Sequence, residues 1–437
     1  MNLWHALRLP PLPLLAMSGA GGKTTALFHL ARCLSAHLPC VVTTTTHLGA
    51  WQASQADFHL VLSPGKERII QETDFPPGVT LVSGPPDSTD RLQAIPEDVL
   101  YLLYEKWQKQ KIALLIEADG ARQKPLKAPA PHEPVIPDFV QAVLVVAGLS
   151  ALGQPLDEDH VHRPEIFSRL SHLPMGAPIS PEAITRFLIH PEGGQKGIPE
   201  TARRLLLLNQ ADTPTLQAAG GKIAKSVLSV YDAVAVGTLQ PVQFQTFEPV
   251  AGIILAAGES KRFGAPKQLL EWHGKPFIRH VAEAALAANL TPVVVVTGAN
   301  AAEVSAAVQD LPITLCHNPA WPSGQSSSLQ CGLQALPSKT GAAIFLLADQ
   351  PQVTSTVLRA LVERHSVDLS PIVAPQVQGQ RANPVLFDRE TFPALISLAG
   401  DVGGRAIFSR FPVTYLSWHD TSLLVDVDTP GDVEKLP

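Results

Sequence analysis

Cysteine is scarce in this chain. Only Cys33, Cys40, Cys316 and Cys331 occur, and none forms a CxxC pair. A zinc ribbon and a disulfide-built scaffold are therefore both disfavoured, and a reduced, cytoplasmic setting is expected. Strong charge of one sign is missing too. The formal net charge is −6 and no run of Lys or Arg stands out, which argues against nucleic acid or anionic lipid as partner. No apolar run reaches the roughly 18 residues a membrane helix needs. Arg8 and the apolar stretch 10–16 mimic a signal peptide, but Pro10, Pro11 and Pro13 interrupt it, and it reads as entry to a strand. Charged residues make up only 16% against 45% apolar, a balance that suits folded domains and not long disorder. The 437 residues are more than one core comfortably holds, so two domains are expected.

Two strand–glycine loop–helix openings are present, at 14–30 and 252–288. Each begins an alternation of short apolar runs and amphipathic segments, the pattern of a mainly parallel sheet with helices on both faces. Strands are expected at 14–17, 40–44, 112–117, 142–147 and 204–209 in the first half. In the second they are expected at 252–255, 292–297, 313–316, 342–347, 371–374 and 423–427. The expected division is 1–240, a linker at 241–249, and 250–437.

The most informative string runs from Gly252 to Lys267: Gly-Ile-Ile-Leu-Ala-Ala-Gly-Glu-Ser-Lys-Arg-Phe-Gly-Ala-Pro-Lys. An apolar strand ends at Leu255, and the small residues Ala256, Ala257 and Gly258 let a ligand approach the backbone. Successive N–H groups in such a bend cradle phosphate oxygens, and Arg262 and Lys267 add two cations suited to a triphosphate. Asp349 follows the apolar run 344–348, at the carboxyl end of a buried strand, where open α/β sheets bind ligands. A carboxylate there suits Mg²⁺, as does Asp428 after the run 423–425; capping of a following helix is the other reading of Asp349, and Asp426 is the alternative to Asp428. Ser326 and Ser328 precede the apolar series Leu329, Leu333 and Leu336, so they lie near a helix start, either capping it or touching a base.

These residues resemble the LAAGxSxRxGxPK motif of the MobA-like nucleotidyltransferases. The resemblance continues at Leu347-Ala348-Asp349-Gln350-Pro351, at His317-Asn318-Pro319 with Gly324–Leu329, at Asp401–Arg405 and at Asp426–Asp432. It implies a Rossmann-like nucleotidyltransferase domain. In-line attack of a substrate phosphate on the α-phosphorus of a nucleoside triphosphate releases pyrophosphate. The resemblance assigns Lys267 to the α-phosphate, Arg262 to the β- and γ-phosphates, and Asp349 with Asp428 to Mg²⁺. The Ala256-Ala257-Gly258 form is similar to that of the molybdenum-cofactor cytidylyltransferases, implying CTP as substrate and molybdopterin as acceptor. Ala382-Asn383-Pro384 departs from the Gly-His-Pro common in that group. GTP as donor, a sugar or polyol phosphate acceptor, and a cofactor carrier without turnover are the alternatives.

In the first half, Gly19-Ala20-Gly21-Gly22-Lys23-Thr24-Thr25 follows a short strand and opens a helix, an arrangement that resembles a P-loop with Met17 at its first glycine position. Glu117 and Asp119 end the strand at 112–117 and are candidates for the acidic side of the same site. Together with Thr43–His47, Lys124–Pro129 and His132–Pro137, these strings resemble the YqeC family. That implies a P-loop-like unit binding ATP or GTP that assists maturation of a molybdenum hydroxylase. His132, His160 and His162 read as polar loop residues and not as metal ligands.

Overall fold

The computed structural model describes all residues except His37, Pro64, Lys66, Glu67, Lys261, Arg262, Asp428, Thr429, Lys435, Pro437 and the side chain of Pro430. It divides into two compact units, Met1–Phe247 and Glu248–Pro437. Among the described residues no helix is long and apolar enough to cross a membrane.

The first unit is built on nine strands: β1 (Leu14–Gly19), β2 (Cys40–Thr44), β3 (Phe58–Val61), β4 (Val79–Ser83), β5 (Ala113–Glu117), β6 (Ala142–Gly148), β7 (Arg203–Asn209), β8 (Ala233–Leu239) and β9 (Val242–Phe247). Their order in the sheet is β9-β8-β7-β6-β1-β5-β2-β4-β3. All neighbours are parallel except β8 and β9. Side chains alternate across a strand. Leu15 and Met17 accordingly face helix α1 (Lys23–Ser35), which presents Ala26, Leu27, Leu30, Ala31 and Leu34 at helical spacing. Leu14 and Ala16 face helix α2 (Glu97–Gln110) through Val99, Leu100 and Leu103. β1 is central, and the chain reaches β2 and β5 on one side of it and β6 on the other. The carboxyl end of β1 is thus a topological switch point, where such sheets leave a crevice.

The stretch read as a linker is corrected here. Residues 242–247 alternate apolar and polar, Phe244 and Thr246 are buried, and the segment pairs antiparallel with β8 as an edge strand. Its hydrogen-bond partner lies immediately before it in the chain, and a hairpin turn at 240–241 replaces the expected break.

The second unit contains β10 (Val250–Ala256), β11 (Val293–Thr297), β12 (Thr314–His317), β13 (Ala342–Leu347), β14 (Ile372–Val377), β15 (Gln380–Arg381), β16 (Val385–Asp388) and β17 (Val413–Ser417). The order is β12-β11-β10-β13-β16-β14-β15, with β17 also on β14. Ile254, Val295, Ile344 and Leu346 pack under helices at Phe277–Ala287 and Ser355–Asp368. On the other face Ile253, Val294 and Val296 meet Leu329 and Leu333 of a helix at Gln325–Gln334. That helix approaches closely because Gly332 lacks a side chain; a Cβ there would lie 2.5 Å from Ile253 Cγ2. Truncating the buried Leu329 to alanine costs about 2–5 kcal/mol and loosens the helix that carries Ser326–Ser328.

Two expectations fail in this unit. Residues 423–427 are not a strand: Thr421–Leu424 form a 3-10 turn, with Leu423 buried against the sheet. Its short apolar run signals burial, which periodicity alone does not distinguish from a strand. Cys316 and Cys331 are paired in a disulfide with a Cα–Cα distance of 6.9 Å. The chain turns back from β12 into the Gln325–Gln334 helix and brings the two residues together, which their spacing did not reveal.

Candidate functional site

The second unit's site follows from strand register. β10 lies between β11 and β13, with Leu255 opposite both Val296 and Leu347. That alignment sets the bend Ala256-Ala257-Gly258 beside Ala348 and Asp349, just past the carboxyl ends of both strands. A single cleft of about 640 Å³ is lined there by Leu255, Ala256, Ala257, Gly258, Lys267, Ser328 and Asp349, together with Trp321, Gln325 and Asp401 among others. This is the size of a nucleotide-scale pocket. Gly258 is informative: a Cβ on it would meet nothing within 4 Å, and its φ is not in the left-handed region. Neither packing nor backbone conformation requires glycine there.

The loop after the bend is braced by Gln268, which the sequence reading missed. Gln268 is buried, donates through Nε2 to the Gly258 carbonyl at 3.2 Å, and accepts from Ser260 Oγ at 3.3 Å. Ser260 Oγ also accepts from the Lys267 N–H at 3.2 Å. Lys267 Nζ stands 6.0 Å from the centroid of the Phe263 ring. A glutamine after the motif's lysine gives no signal of this brace in the sequence. Gln268→Ala is expected to loosen the loop and raise the KM for nucleotide by about tenfold, as for loss of one or two buried hydrogen bonds. Steady-state kinetics with varied nucleotide check this, and an unchanged KM removes the bracing role.

On the opposite wall, Asn318 donates to Ser327 Oγ at 2.8 Å and Ser328 Oγ at 3.0 Å. Gly324, at φ +114°, leads into the helix in a conformation that favours glycine. Asp401 accepts from the Gln325 N–H at 3.3 Å, tying the 400–404 loop to the helix start. Ser326 does not line the cleft with Ser328: its hydroxyl donates to the Gly400 carbonyl at 2.7 Å and is buried. Successive helical residues point about 100° apart, so Ser326 and Ser328 serve different surfaces. Asp349 lies six residues before Ser355, where the next helix begins with Thr354 as its N-cap, so helix capping does not account for it. Asp426 accepts from Gln350 Nε2 at 2.8 Å. Arg262 and Asp428 lie outside the described residues.

In the first unit the expected residues Lys23, Thr24, Glu117 and Asp119 converge beyond the end of β1. Lys23 Nζ pairs with Glu117 Oε1 at 2.9 Å and Asp119 Oδ1 at 3.2 Å, and it also donates to the Asp119 carbonyl. Thr24 donates to Glu117 Oε2 at 2.9 Å. Burial pulls the Lys23 pKa down, but Glu117 and Asp119 more than reverse it and hold the ammonium above its ordinary value. Gly19, Gly21 and Gly22 all have left-handed φ. A Cβ on Gly19 would lie 2.2 Å from the Val146 carbonyl oxygen, and one on Gly21 2.3 Å from the Gly148 nitrogen. These glycines are thus required by the neighbouring strand end itself. The Gly19 N–H reaches both Asp119 oxygens at 3.2 Å, and the N–H groups of Ala20 and Gly21 donate to the Val146 and Lys124 carbonyls. The expected cradle therefore holds the Asp119 carboxylate. Thr25 is exposed and takes no part in these bonds.

The ion network continues outward. Lys127 bridges Asp119 and Glu133, each at 2.8 Å, and Arg163 meets Glu133 at 2.7 Å. Burial works to raise the Glu133 pKa, but bonds from Arg163 and Lys127 outweigh it and hold it at about 2. His162 is driven down to about 4 by burial first and then by the like charges of Arg163, Lys127 and Arg122. Both folded values lie below the ordinary ones, so the unfolded chain binds more protons in acid and stability decreases as the pH is lowered. The His162 contribution is lost from about pH 6.5 down to about 4, and that of Glu133 from about 4.5 down to about 2. Thermal unfolding followed across the upper window is expected to show a falling midpoint for the first unit, and His162→Gln is expected to flatten that slope.

Known proteins resemble the two units separately. Residues 252–415 match the MobA-like NTP transferase domain, and residues 15–165 match the YqeC protein family. Nicotine blue oxidoreductase of Paenarthrobacter nicotinovorans is 34% identical over 197 residues, covering 43% of this chain and 96% of that protein. YqeC of Escherichia coli K12 is 29% identical over 197 residues, covering 45% of this chain and 75% of that protein. A probable molybdenum cofactor guanylyltransferase of Bacillus anthracis is 29% identical over 181 residues, covering 40% of this chain and 88% of that protein.

Proposed function

We propose a reaction from the premise that this chain belongs to the MobA-like NTP transferase family through its second unit and to the YqeC family through its first. The second unit is a nucleotidyltransferase of the MobA-like type. Its reaction, in this reading, moves CMP from CTP to the phosphate of molybdopterin. The observation that carries the reading is the shared cleft, in which the Ala256-Ala257-Gly258 bend, Lys267 and Asp349 converge.

An acceptor phosphate oxygen forms a bond to the α-phosphorus while the bond from that phosphorus to the bridging oxygen of the β-phosphate breaks, and pyrophosphate leaves with the electron pair. Lys267 neutralises the α-phosphate as charge develops, with Arg262 assigned to the leaving β- and γ-phosphates. The small-residue bend sets the distance of the triphosphate from the backbone. The helix at Gln325–Gln334, with Ser328 held by Asn318, offers its wall to the base. Asp349 fits one carboxylate ligand of Mg²⁺, a hard cation that takes one or two carboxylates with phosphate oxygens, and Asp428 is the proposed second. When bound, Mg²⁺ supplies charge neutralisation of the phosphates.

CTP is favoured over GTP, on this proposal, by the resemblance of the Ala256-Ala257-Gly258 form to that of the molybdenum-cofactor cytidylyltransferases. The first unit, on the same proposal, binds ATP or GTP at Lys23 and Thr24 and serves maturation of a molybdenum hydroxylase in the cytoplasm. The oxidoreductase name of the 34%-identical relative supplies a competing outcome. The full chain is incubated with Mg²⁺, molybdopterin and each NTP in turn while pyrophosphate is measured. Release with CTP and molybdopterin is the expected result. Release only with GTP, or only with a sugar or polyol phosphate, replaces the assignment. Tight pterin binding without turnover, or pterin-independent redox turnover, overturns it.

A further inference from the structure

One wall of the second unit's cleft is closed by a covalent bond. Cys316, in β12, and Cys331, in the helix Gln325–Gln334, are joined across a sequence separation of 15. The segment between them supplies Trp321, Pro322, Ser323, Gly324, Gln325 and Ser328 to the cleft lining. Cys331 follows Ser327 and Ser328 by four and three positions, so it lies one turn further along the same side of the helix. Asn318, two positions after Cys316, donates to both serine hydroxyls. The end of β12 thus grips the helix twice on one side, once through an amide and once through sulfur.

The rest of the helix is held differently. Leu329 and Leu333 are buried against the sheet, and that packing does not depend on the cysteines. The loop before the helix is less firmly seated: Trp321–Ser323 form a short 3-10 turn, and Pro322 and Ser323 are exposed. A cross-link around such a loop limits chiefly the conformations of the loop, and a loop with fewer states costs less to order when a ligand binds. Both cysteines are only partly buried, within reach of small thiols. Each sulfur also has a carbonyl near it. Cys316 Sγ lies 3.5 Å from the Cys331 oxygen, and Cys331 Sγ lies 3.8 Å from the His317 oxygen. The thiols of a reduced chain would each have an acceptor already in place. The first unit's cysteines differ. Cys33 and Cys40 are unbonded, and burial pushes the Cys40 thiol up, away from the reactive thiolate.

We propose that Cys316 and Cys331 form a reversible thiol–disulfide switch that sets nucleotide affinity, with the bonded form as the high-affinity state. This rests on the reading of the cleft as a nucleotide site. In a reducing cytoplasm a disulfide is transient and redox-sensing more often than structural. The reductant is a dithiol and the oxidant a small disulfide. In reduction, a thiolate of the dithiol attacks one sulfur of the pair, and the electrons of the sulfur–sulfur bond leave on the other. The second thiol of the reductant then attacks the mixed disulfide and releases the first cysteine. Two electrons and two protons pass to the cysteines, and the dithiol ends as a disulfide. Oxidation by a small disulfide runs the exchange the other way and leaves two small thiols.

The test treats the full chain with dithiothreitol or with oxidised glutathione and then removes the reagent. Alkylation and peptide mass score the bond between Cys316 and Cys331, and calorimetry measures CTP binding in Mg²⁺. The oxidised chain is expected to bind CTP about tenfold more tightly, because a loop ordered beforehand costs less to bind. Hydrogen exchange over residues 318–328 is expected to be slower in it. Cys316→Ser/Cys331→Ser is expected to show the reduced affinity after both treatments, whereas Cys33→Ser keeps the response. Equal CTP affinity in oxidised and reduced wild type overturns the switch, and that comparison needs no variant. A response that survives in the double variant overturns it too, as does failure of the bond to form on oxidation. If no NTP binds in either state while exchange over 318–328 still slows on oxidation, the nucleotide reading fails and the redox clasp on the loop stands. Equal exchange as well overturns both.

Discussion

Replacing Lys267 with alanine is expected to lower kcat/KM for nucleotidyl transfer by about 10²–10³, the usual loss for one preorganised group facing charge that develops in the transition state. Lys267 lines the cleft together with Asp349 and the Ala256–Gly258 bend, and its backbone N–H is held by Ser260. The side chain is thus delivered from a braced loop, and removing it should leave the brace intact. Most of the loss should fall on kcat if the ammonium acts mainly on the α-phosphate during bond exchange. A loss confined to KM would make Lys267 a ground-state binding group. Pyrophosphate release measured over a range of nucleotide concentrations separates the two, and full activity in the variant removes the proposed mechanism.

The second large effect is expected from Gly258→Leu. A side chain at this position enters open space and needs no left-handed backbone. The unfolding midpoint should therefore stay within a few degrees of wild type, while a surface substitution typically changes stability by about 0.5 kcal/mol or less. The added side chain projects into the volume assigned to the triphosphate, so protection by nucleotide and pyrophosphate release should both disappear. Protection by a bound ligand follows RT ln(1 + [L]/Kd), so its loss is read directly in the midpoint shift. A stable variant that retains nucleotide protection means that the ligand lies elsewhere in the cleft. A variant that does not fold means that the glycine is structural, which the open space around it argues against.

How much of this was legible beforehand differs by residue. Asp349 was placed correctly at a strand end because the run 344–348 is apolar on both sides of the pleat. Lys23, Thr24, Glu117 and Asp119 were chosen as neighbours from residue type and motif, and they are neighbours. Ser326 was grouped with Ser328, and the helix separates them, since two positions along a helix face different ways. Gln268 was missed because a glutamine after a motif lysine carries no signal until its amide is seen closing the loop. The strand at 242–247 was read as a linker because its alternation is short and polar on one side, and an edge strand needs only one buried face.

By itself the sequence determined the α/β class, the presence of two units and the residue types that end the key strands, because periodicity and small-residue bends act over a few positions of chain. The tertiary structure alone decided which strand ends meet. It set the register that aligns Leu255 with Leu347, the occupation of the first unit's loop by Asp119, and the pairing of Cys316 with Cys331. These are contacts between distant segments, and their geometry depends on the packing of whole layers, which no local pattern of residues encodes.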